Sequence, residues 1–133
     1  MATKKGVWNL QQVRDKQLQS LWNYQVGQLW AWGSGGGGEL GQNDKTNRSS
    51  PVQVGTDTNW ASGYQKLCVS TQGRGAIKTD GTLWIWGDGT YGQFAENSSN
   101  TQYSSPVQIG TGTDWQHIAG GYGAVWALRT VGT

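Results

Sequence analysis

Few side chains in the sequence could carry out chemistry, and the first candidates are one cysteine and one histidine. Cys68 and His117 are the single residues of their kinds in the 133-residue chain. A thiolate nucleophile with an imidazole base would need these two side chains together in a cleft. The sequence around Cys68 offers no group that would activate its thiol. We therefore interpret Cys68 as a small buried hydrophobe and predict a protein without catalytic residues.

Metal and phosphate sites are also disfavoured by the residues available. A structural zinc ion takes four nitrogen or sulfur ligands, and only one cysteine and one histidine are present. The glycine-rich segment 33–38 lacks both the Gly-Lys-Ser/Thr element and a following helix, so it is read as turn chemistry. Five acids in predicted loops could bind calcium or form a glycosidase pair, although solvated loop charge is the simpler interpretation: Asp44, Asp57, Asp88, Glu96 and Asp114. We expect no metal and no cofactor.

Composition indicates short aromatic strands joined by many tight turns. The chain has 22 glycines and nine tryptophans but only two prolines. The net charge is only +2, since the first 28 residues carry +3 and the remainder carries −1, and this gives no basic surface for nucleic acid. A single cysteine fits a reducing compartment, and the polar start at residues 1–6 predicts no export signal. With no apolar stretch of about 18 residues, we expect a protein made in a cytoplasm and outside membranes.

An internal repeat is the strongest pattern in the sequence. Leu29–Gly33 (LWAWG) returns as Leu83–Gly87 (LWIWG), 54 positions later. Ser49–Gly55 (SSPVQVG) returns as Ser104–Gly110 (SSPVQIG), 55 positions later. A third match at a shift of 51 joins residues 76–79 to 127–130. A period near 50 residues is typical of repeat architectures and propellers.

Each copy contains a strand with large side chains on both faces. In the second copy, Leu83 and Ile85 point to one face while Trp84 and Trp86 point to the other. Both faces must then be covered, as in an inner strand of a propeller blade. Tryptophans can also bind sugars or single-stranded nucleic acid, but recurrence at equivalent repeat positions favours packing. We predict a blade core formed by six residues: Trp30, Trp32, Trp84, Trp86, Leu40 and Phe94.

A tight hairpin is predicted at Asp80-Gly81. The dipeptide lies between the apolar pair Ala76-Ile77 and the strand that starts at Leu83. Asp-Gly favours a short hairpin because both turn residues can adopt positive φ. Ile77 and Leu83 are therefore expected on paired antiparallel strands.

These elements resemble the repeat of the RCC1 family, the regulator of chromosome condensation. The family pattern runs through LWAWG, a glycine-rich turn, GQLG, SPVQV and a trailing aliphatic strand, and this chain departs from it where Ala95 replaces the second glycine of GQLG. The resemblance implies an all-β fold of two RCC1-type propeller blades, with repeats at 26–82 and 83–133. Family members usually close a ring of seven blades. Because open blades expose apolar faces, we expect a homo-oligomer, with a trimer favoured; the alternative is a partner protein that covers these faces.

Residues 1–25 fall outside the repeats and are predicted to form an extended or partly helical arm. A short helix is expected near Leu10 to Ser20. The segment GVWNLQQVRDKQLQSLW at residues 6–22 resembles the leader of tailed-phage structural proteins. That resemblance implies an assembly arm that contacts other subunits through Trp8, Leu10, Val13, Leu18 and Trp22.

The two resemblances together predict a structural virion protein of a tailed bacteriophage, in the capsid decoration or in the tail or fibre. Its expected partners are other virion proteins, and its expected location is the virion after synthesis in the host cytoplasm. The alternative is a host-surface glycan-binding adhesin, in which loops near residues 87–100 would meet a glycan. A third class, a nucleotide-exchange partner of a small GTPase, follows from the RCC1 resemblance alone, and a shared fold does not establish it.

Overall fold

The computed structural model describes residues 9–12, 14 and 27–131, and its strands lie in three antiparallel sheets. The strands, in chain order, are β1 Trp30–Gly33, β2 Arg48–Gln53, β3 Leu67–Val69, β4 Gly73–Ile77, β5 Leu83–Gly89, β6 Thr101–Gln108, β7 Trp115–Gly120 and β8 Val125–Arg129. The prediction of an all-β fold is confirmed.

One complete blade lies between two half-blades. Strands β3-β4-β5-β6 form a four-stranded sheet, whereas β1-β2 and β7-β8 form separate two-stranded sheets. By sequence, β1-β2 repeats β5-β6, and β7-β8 repeats β3-β4. The expected repeat boundary between residues 82 and 83 therefore falls inside the complete blade, between β4 and β5. Sequence repeats and sheets are offset by half a blade.

The predicted β4-β5 hairpin forms around Asp80-Gly81, but of these two residues only Gly81 has positive φ. The Gly81 amide donates to the Lys78 carbonyl at 2.9 Å, and Gly81 has φ of +81°. The Asp80 carboxylate accepts hydrogen bonds from the Thr82 amide at 3.1 Å and the Thr82 hydroxyl at 2.6 Å. Ile77 then pairs with Leu83 across the two strands. This turn fixes the register of the centre of the blade.

Strand β5 is covered on both faces, and this explains its run of large side chains. Leu83 and Ile85 belong to the larger core cluster, which is formed by Cys68, Ile77, Leu83, Ile85, Phe94 and Ile118. On the opposite face, Trp86 packs with Trp60 and Ala76, and Trp84 lies against them. Ile118 comes from β7, so the third sheet is packed onto the complete blade.

The described part of the N-terminal arm begins a helix at Leu10. Asn9 and Gln12 form a reciprocal cap: the Asn9 amide donates to Gln12 Oε1 at 3.1 Å, and the Gln12 amide donates to Asn9 Oδ1 at 2.8 Å. Leu10 is exposed. The other predicted arm residues lie outside the described part of the chain: Trp8, Val13, Leu18 and Trp22. In the described residues, no helix is long and apolar enough to cross a membrane.

Candidate interaction surface

Equivalent repeat positions differ in burial according to whether the preceding blade is complete. Leu67 on β3 lies opposite Ala76, and its repeat counterpart Ile118 on β7 lies opposite Ala127. Ile118 is 2% exposed because it packs on the complete blade, whereas Leu67 is 53% exposed. The two side chains are of similar size and occupy the same place in the repeat. The difference therefore comes from the half-blade that precedes β3, which has no counterparts of β3 and β4 among the described residues.

The tryptophan pair at the end of the LWxWG element shows the same contrast. Trp86 is 2% exposed, packs 6.1 Å from the Trp60 ring and donates its indole N–H to the Glu39 carbonyl at 2.8 Å. Trp32, its counterpart on β1, is 62% exposed. Since both tryptophans end an LWxWG element, the exposure of Trp32 is explained by the first sheet, which has no counterparts of β3 and β4 among the described residues.

The six predicted blade-core residues are therefore distributed between interior and surface. Leu40, Phe94 and Trp86 are buried, and Trp84 is half-buried with its ring centre 6.3 Å from that of Trp60. Trp30 and Trp32 lie on the surface of the single chain. Their burial between blades stays a prediction for an assembly in which counterparts of β3 and β4 pack beside β1.

The exposed side chains at the first half-blade form one surface, called the β1 face. It consists of Trp30, Trp32, Leu67 and Val69, all of them exposed. Between β1 and the complete blade lies a cleft of about 270 Å³ that these four residues line together with Leu40 and Trp86. The cleft therefore joins an open apolar surface to the buried core.

A second surface, called the β8 face, lies at the opposite end of the strand order. Trp126 and Leu128 on β8 are exposed, although Ile77, the counterpart of Leu128 on β4, is buried. A cleft of about 170 Å³ runs beside them and reaches His117. Among the described residues β8 pairs only with β7, so its other edge is open for a further strand.

The loop acids are held in local turns. Hydrogen bonds from the side chains of Thr82 and Thr90 lower the pKa values of Asp80 and Asp88, respectively. The backbone amide of Thr46 lowers the pKa of Asp44 in the same way, and Arg48 pairs with that carboxylate at 2.6 Å. These carboxylates are charged and already bonded to the protein, as Asx-type turns require.

Cys68 lies in the interior, where its thiol is poorly suited to nucleophilic attack. Burial raises the pKa of Cys68 to about 11, so the thiolate is scarce at neutral pH. Within the described part of the chain, no group of three or more His, Cys, Asp or Glu side chains could hold a metal ion. The largest exposed apolar features of the described residues are the β1 face and the β8 face.

Several residues of these faces were not singled out by the sequence. They are Leu67, Val69, Trp126, Leu128 and Arg129. The shift of 51 positions, which aligns 76–79 with 127–130, could have identified Leu128 and Arg129 as counterparts of Ile77 and Lys78. The sequence alone does not tell which counterpart is covered, because that depends on the strand order.

Comparison with known proteins finds RCC1-like relatives in mammals. The chain is 32% identical over 80 residues to the human E3 ubiquitin-protein ligase HERC2, covering 58% of this chain and 2% of that protein. It is 32% identical over 117 residues to the human RCC1-like G exchanging factor-like protein, covering 84% of this chain and 25% of that protein. The chain thus spans a small part of the curated relatives that it matches.

A solved structure agrees with these relatives. The crystal structure of human WBSCR16 superposes with a TM-score of 0.58 at 26% identity, over 70% of this chain and 24% of that chain. This likeness, together with the sheet arrangement, confirms the predicted propeller-type fold.

The comparisons overturn the predicted function. The prediction of a structural virion protein is wrong, because the relatives named above are mammalian RCC1-like proteins and not phage structural proteins. The virion location and the virion partners are wrong for the same reason, and the adhesin alternative and the trimeric ring have no support in these relatives. The expected likeness of residues 6–22 to a phage leader also has no support in these findings.

The repeat itself is matched directly. The sequence matches the Regulator of chromosome condensation (RCC1) repeat over residues 26–62 and 80–128, which together make up more than half of the chain. These ranges contain both LWxWG strands and both SPVQ strands. The chain belongs to the RCC1 repeat family.

Proposed function

We propose that this chain is a non-catalytic segment of an RCC1-type propeller, whose two open faces receive further RCC1-type blades. In this proposal residues 26–82 and 83–133 are two repeats, and residues 1–25 are an arm outside them that contacts another protein, with Leu10 as one contact. The segment works by binding, and the completed propeller offers the binding surface to other proteins.

The observation that carries the proposal is the contrast in burial between equivalent positions. Trp32 and Leu67 on the β1 face, and Leu128 on the β8 face, are exposed, whereas their repeat counterparts are buried: Trp86 and Ile77 in the complete blade, and Ile118 on β7. Covering one such side chain stabilises a protein by about 1.5–3 kcal/mol. A further half-blade on each face would therefore be strongly favoured.

Binding also fits the chemistry of the chain better than catalysis does. The buried Cys68 has a raised pKa, and Asp80 and Asp88 are engaged in their own turns. One relative is described as an RCC1-like G exchanging factor-like protein, but this chain spans 25% of its length. That name refers to the whole protein, and a shared fold does not transfer a function to a part of it, so the proposal here is limited to binding.

The proposal predicts that joining two full-length copies end to end in one polypeptide stabilises both. The β7-β8 half-blade of the first copy and the β1-β2 half-blade of the second together have the strand order of the complete blade. Repeat proteins gain stability from such neighbour contacts. We expect the unfolding midpoint, followed by circular dichroism, to rise by at least about 5 °C relative to the single chain.

Leu67→Ser provides the matched control for this experiment. In the second copy Leu67 faces the new junction and should become buried like Ile118, whereas in the first copy it stays at an open face. The substitution should therefore lower the midpoint more in the second copy than in the first. Equal midpoints for the single and the joined chains would refute the proposed role of the two faces.

A further inference from the structure

The complete blade shows what kind of strand the open edge of β8 is shaped to accept. In that blade β5 pairs with β4, so that Ile77 lies opposite Leu83 and Ala76 lies opposite Trp84. On β8 the counterparts of Ile77 and Ala76 are Leu128 and Ala127. Transferring the register places a leucine opposite Leu128 and a tryptophan opposite Ala127. As in the complete blade, the residue opposite the tryptophan is an alanine, which leaves room for the indole ring.

In the complete blade the tryptophan at this position is Trp84, and its ring contacts the buried ammonium group of Lys78. The Lys78 ammonium lies 3.9 Å from the centre of the Trp84 ring and 4.9 Å from that of Trp60. Its charge is paired with Asp57 at 2.7 Å, and its side chain is only 8% exposed. Lys78 is therefore held by one carboxylate and two aromatic rings, one of which comes from the adjacent strand β5. Such contacts are cation–π interactions.

The end of the chain repeats this arrangement with one ring missing. Arg129 is the counterpart of Lys78, and its guanidinium lies 5.1 Å from the centre of the Trp115 ring. Asp114 pairs with it at 2.8 Å. Trp115 repeats Trp60 in the sequence. Arg129 is nevertheless 53% exposed, because in the part of the chain that the structure describes no strand pairs with the outer edge of β8 to supply the counterpart of Trp84.

We propose that the β8 face is the docking site for a β5-type strand of a further RCC1 repeat, and that Arg129 receives the tryptophan which follows the first leucine of that strand. This inference rests on the proposed function and adds the residue that selects the incoming strand. A guanidinium is well suited to this role because its planar, weakly hydrated group stacks on aromatic rings.

Continuity with the existing core favours this occupant. The β7-β8 half-blade is already anchored on the complete blade through Ile118, which belongs to the core cluster with Ile85 and Cys68. An added strand would thus extend a sheet whose position is fixed. The incoming strand would gain backbone hydrogen bonds from the edge of β8 and a specific ring contact from Arg129.

The experiment measures binding of a synthetic peptide with the sequence of residues 83–110 to the full chain. This peptide contains β5 and β6, the strand pair that the edge should accept. We expect saturable binding by fluorescence anisotropy of a dye-labelled peptide. Arg129→Ala in the chain should weaken binding by about 3- to 30-fold, the range of a cation–π contact. Trp84→Leu in the peptide should weaken it equally, and the two changes together should cost little more than either alone.

Arg48→Ala is the matched control, because Arg48 lies on β2 in an ion pair with Asp44 and away from β8. It should leave the affinity unchanged. If a second copy of the chain already occupies the edge, added peptide should lower the mass seen by light scattering, which supports the same docking site. If neither Arg129→Ala nor Trp84→Leu weakens peptide binding, the proposed role of Arg129 is overturned, while the proposal that the faces receive further blades still stands.

A second experiment covers the case in which the peptide is too unstructured to bind. In the joined two-copy chain, Arg129 of the first copy faces Trp30 of the second, whereas Arg129 of the second copy faces no added strand. Arg129→Ala should therefore destabilise the joined chain more in the first copy, changing its unfolding equilibrium by the same 3- to 30-fold, about the range of a cation–π contact. Equal effects in both copies overturn the inference, even if joining stabilises the chain as the proposed function requires.

Discussion

Replacing Trp86 with alanine should lower the free energy of unfolding by about 4 kcal/mol, whereas Trp32→Ala should lower it by less than about 1 kcal/mol. The two residues end the same LWxWG element in successive repeats. Trp86 is buried against Trp60 and bonded to the Glu39 carbonyl, so its loss leaves a cavity and an unpaired acceptor. Trp32 is exposed and has little buried surface to lose.

Chemical denaturation in urea, followed by far-ultraviolet circular dichroism, measures both variants on the same footing. Circular dichroism is preferred to intrinsic fluorescence because each substitution removes one of the nine tryptophans and so changes the fluorescence signal itself. Comparable losses for the two variants would show that Trp32 is already covered in the single chain. That result would contradict the assignment of the β1 face as open.

Gly81→Ala should destabilise the chain by at least about 3 kcal/mol, while Gly55→Ala should cost about 1 kcal/mol. Both glycines have positive φ, +81° at Gly81 and +65° at Gly55, so the backbone strain of a side chain is similar. A Cβ at Gly81 would also overlap the Thr113 carbonyl oxygen, whereas one at Gly55 would meet open space. The Gly81 carbonyl accepts a hydrogen bond from the Trp115 amide at 3.2 Å, so this clash falls where β7 begins.

Thermal unfolding of the two glycine variants separates strain from collision. The shared cost reports positive φ, and the additional loss in Gly81→Ala reports the close approach of the turn to residue 113. Should Gly55→Ala prove as damaging as Gly81→Ala, the tight packing between the β4-β5 turn and the β7 segment would have to be abandoned.

The sequence predicted the local structure of the complete blade well. Asp80-Gly81 predicted the hairpin because a tight turn needs residues that tolerate positive φ, and this requirement is local. The large residues on both faces of β5 predicted burial on both sides, and Leu83 and Trp86 lie in different core clusters. Such patterns depend on strand geometry, which a short segment determines by itself.

The open faces could not be predicted in the same way. Trp32 and Trp86 have nearly identical neighbours in sequence, yet one is exposed and the other is buried. Their difference depends on which half-blade is present beside them, and the strand order sets this through residues far away in the chain. Arg129 was missed for the same reason, since its counterpart Lys78 is covered by β5, and β8 has no such neighbour among the described strands.

The functional prediction failed because it relied on a short leader. Residues 6–22 are mostly polar with a few aromatic and aliphatic side chains, a composition compatible with many docking segments. The RCC1 repeat was recognised correctly from several motifs in fixed order, and the family match covers them. A fold can serve many functions, so a correct prediction of the fold did not make the predicted binding partner correct.

Hydrogen–deuterium exchange on the joined two-copy chain tests most directly whether the faces complete a blade. The β8 strand of the first copy and the β1 strand of the second meet at the junction, while the β1 strand of the first copy and the β8 strand of the second stay at open edges. We predict that amides of the two junction strands become protected and that those of the two outer strands exchange as in the single chain. If all four strands exchange at the single-chain rate, the half-blades do not complete one another, and the proposal that these faces receive further blades is contradicted.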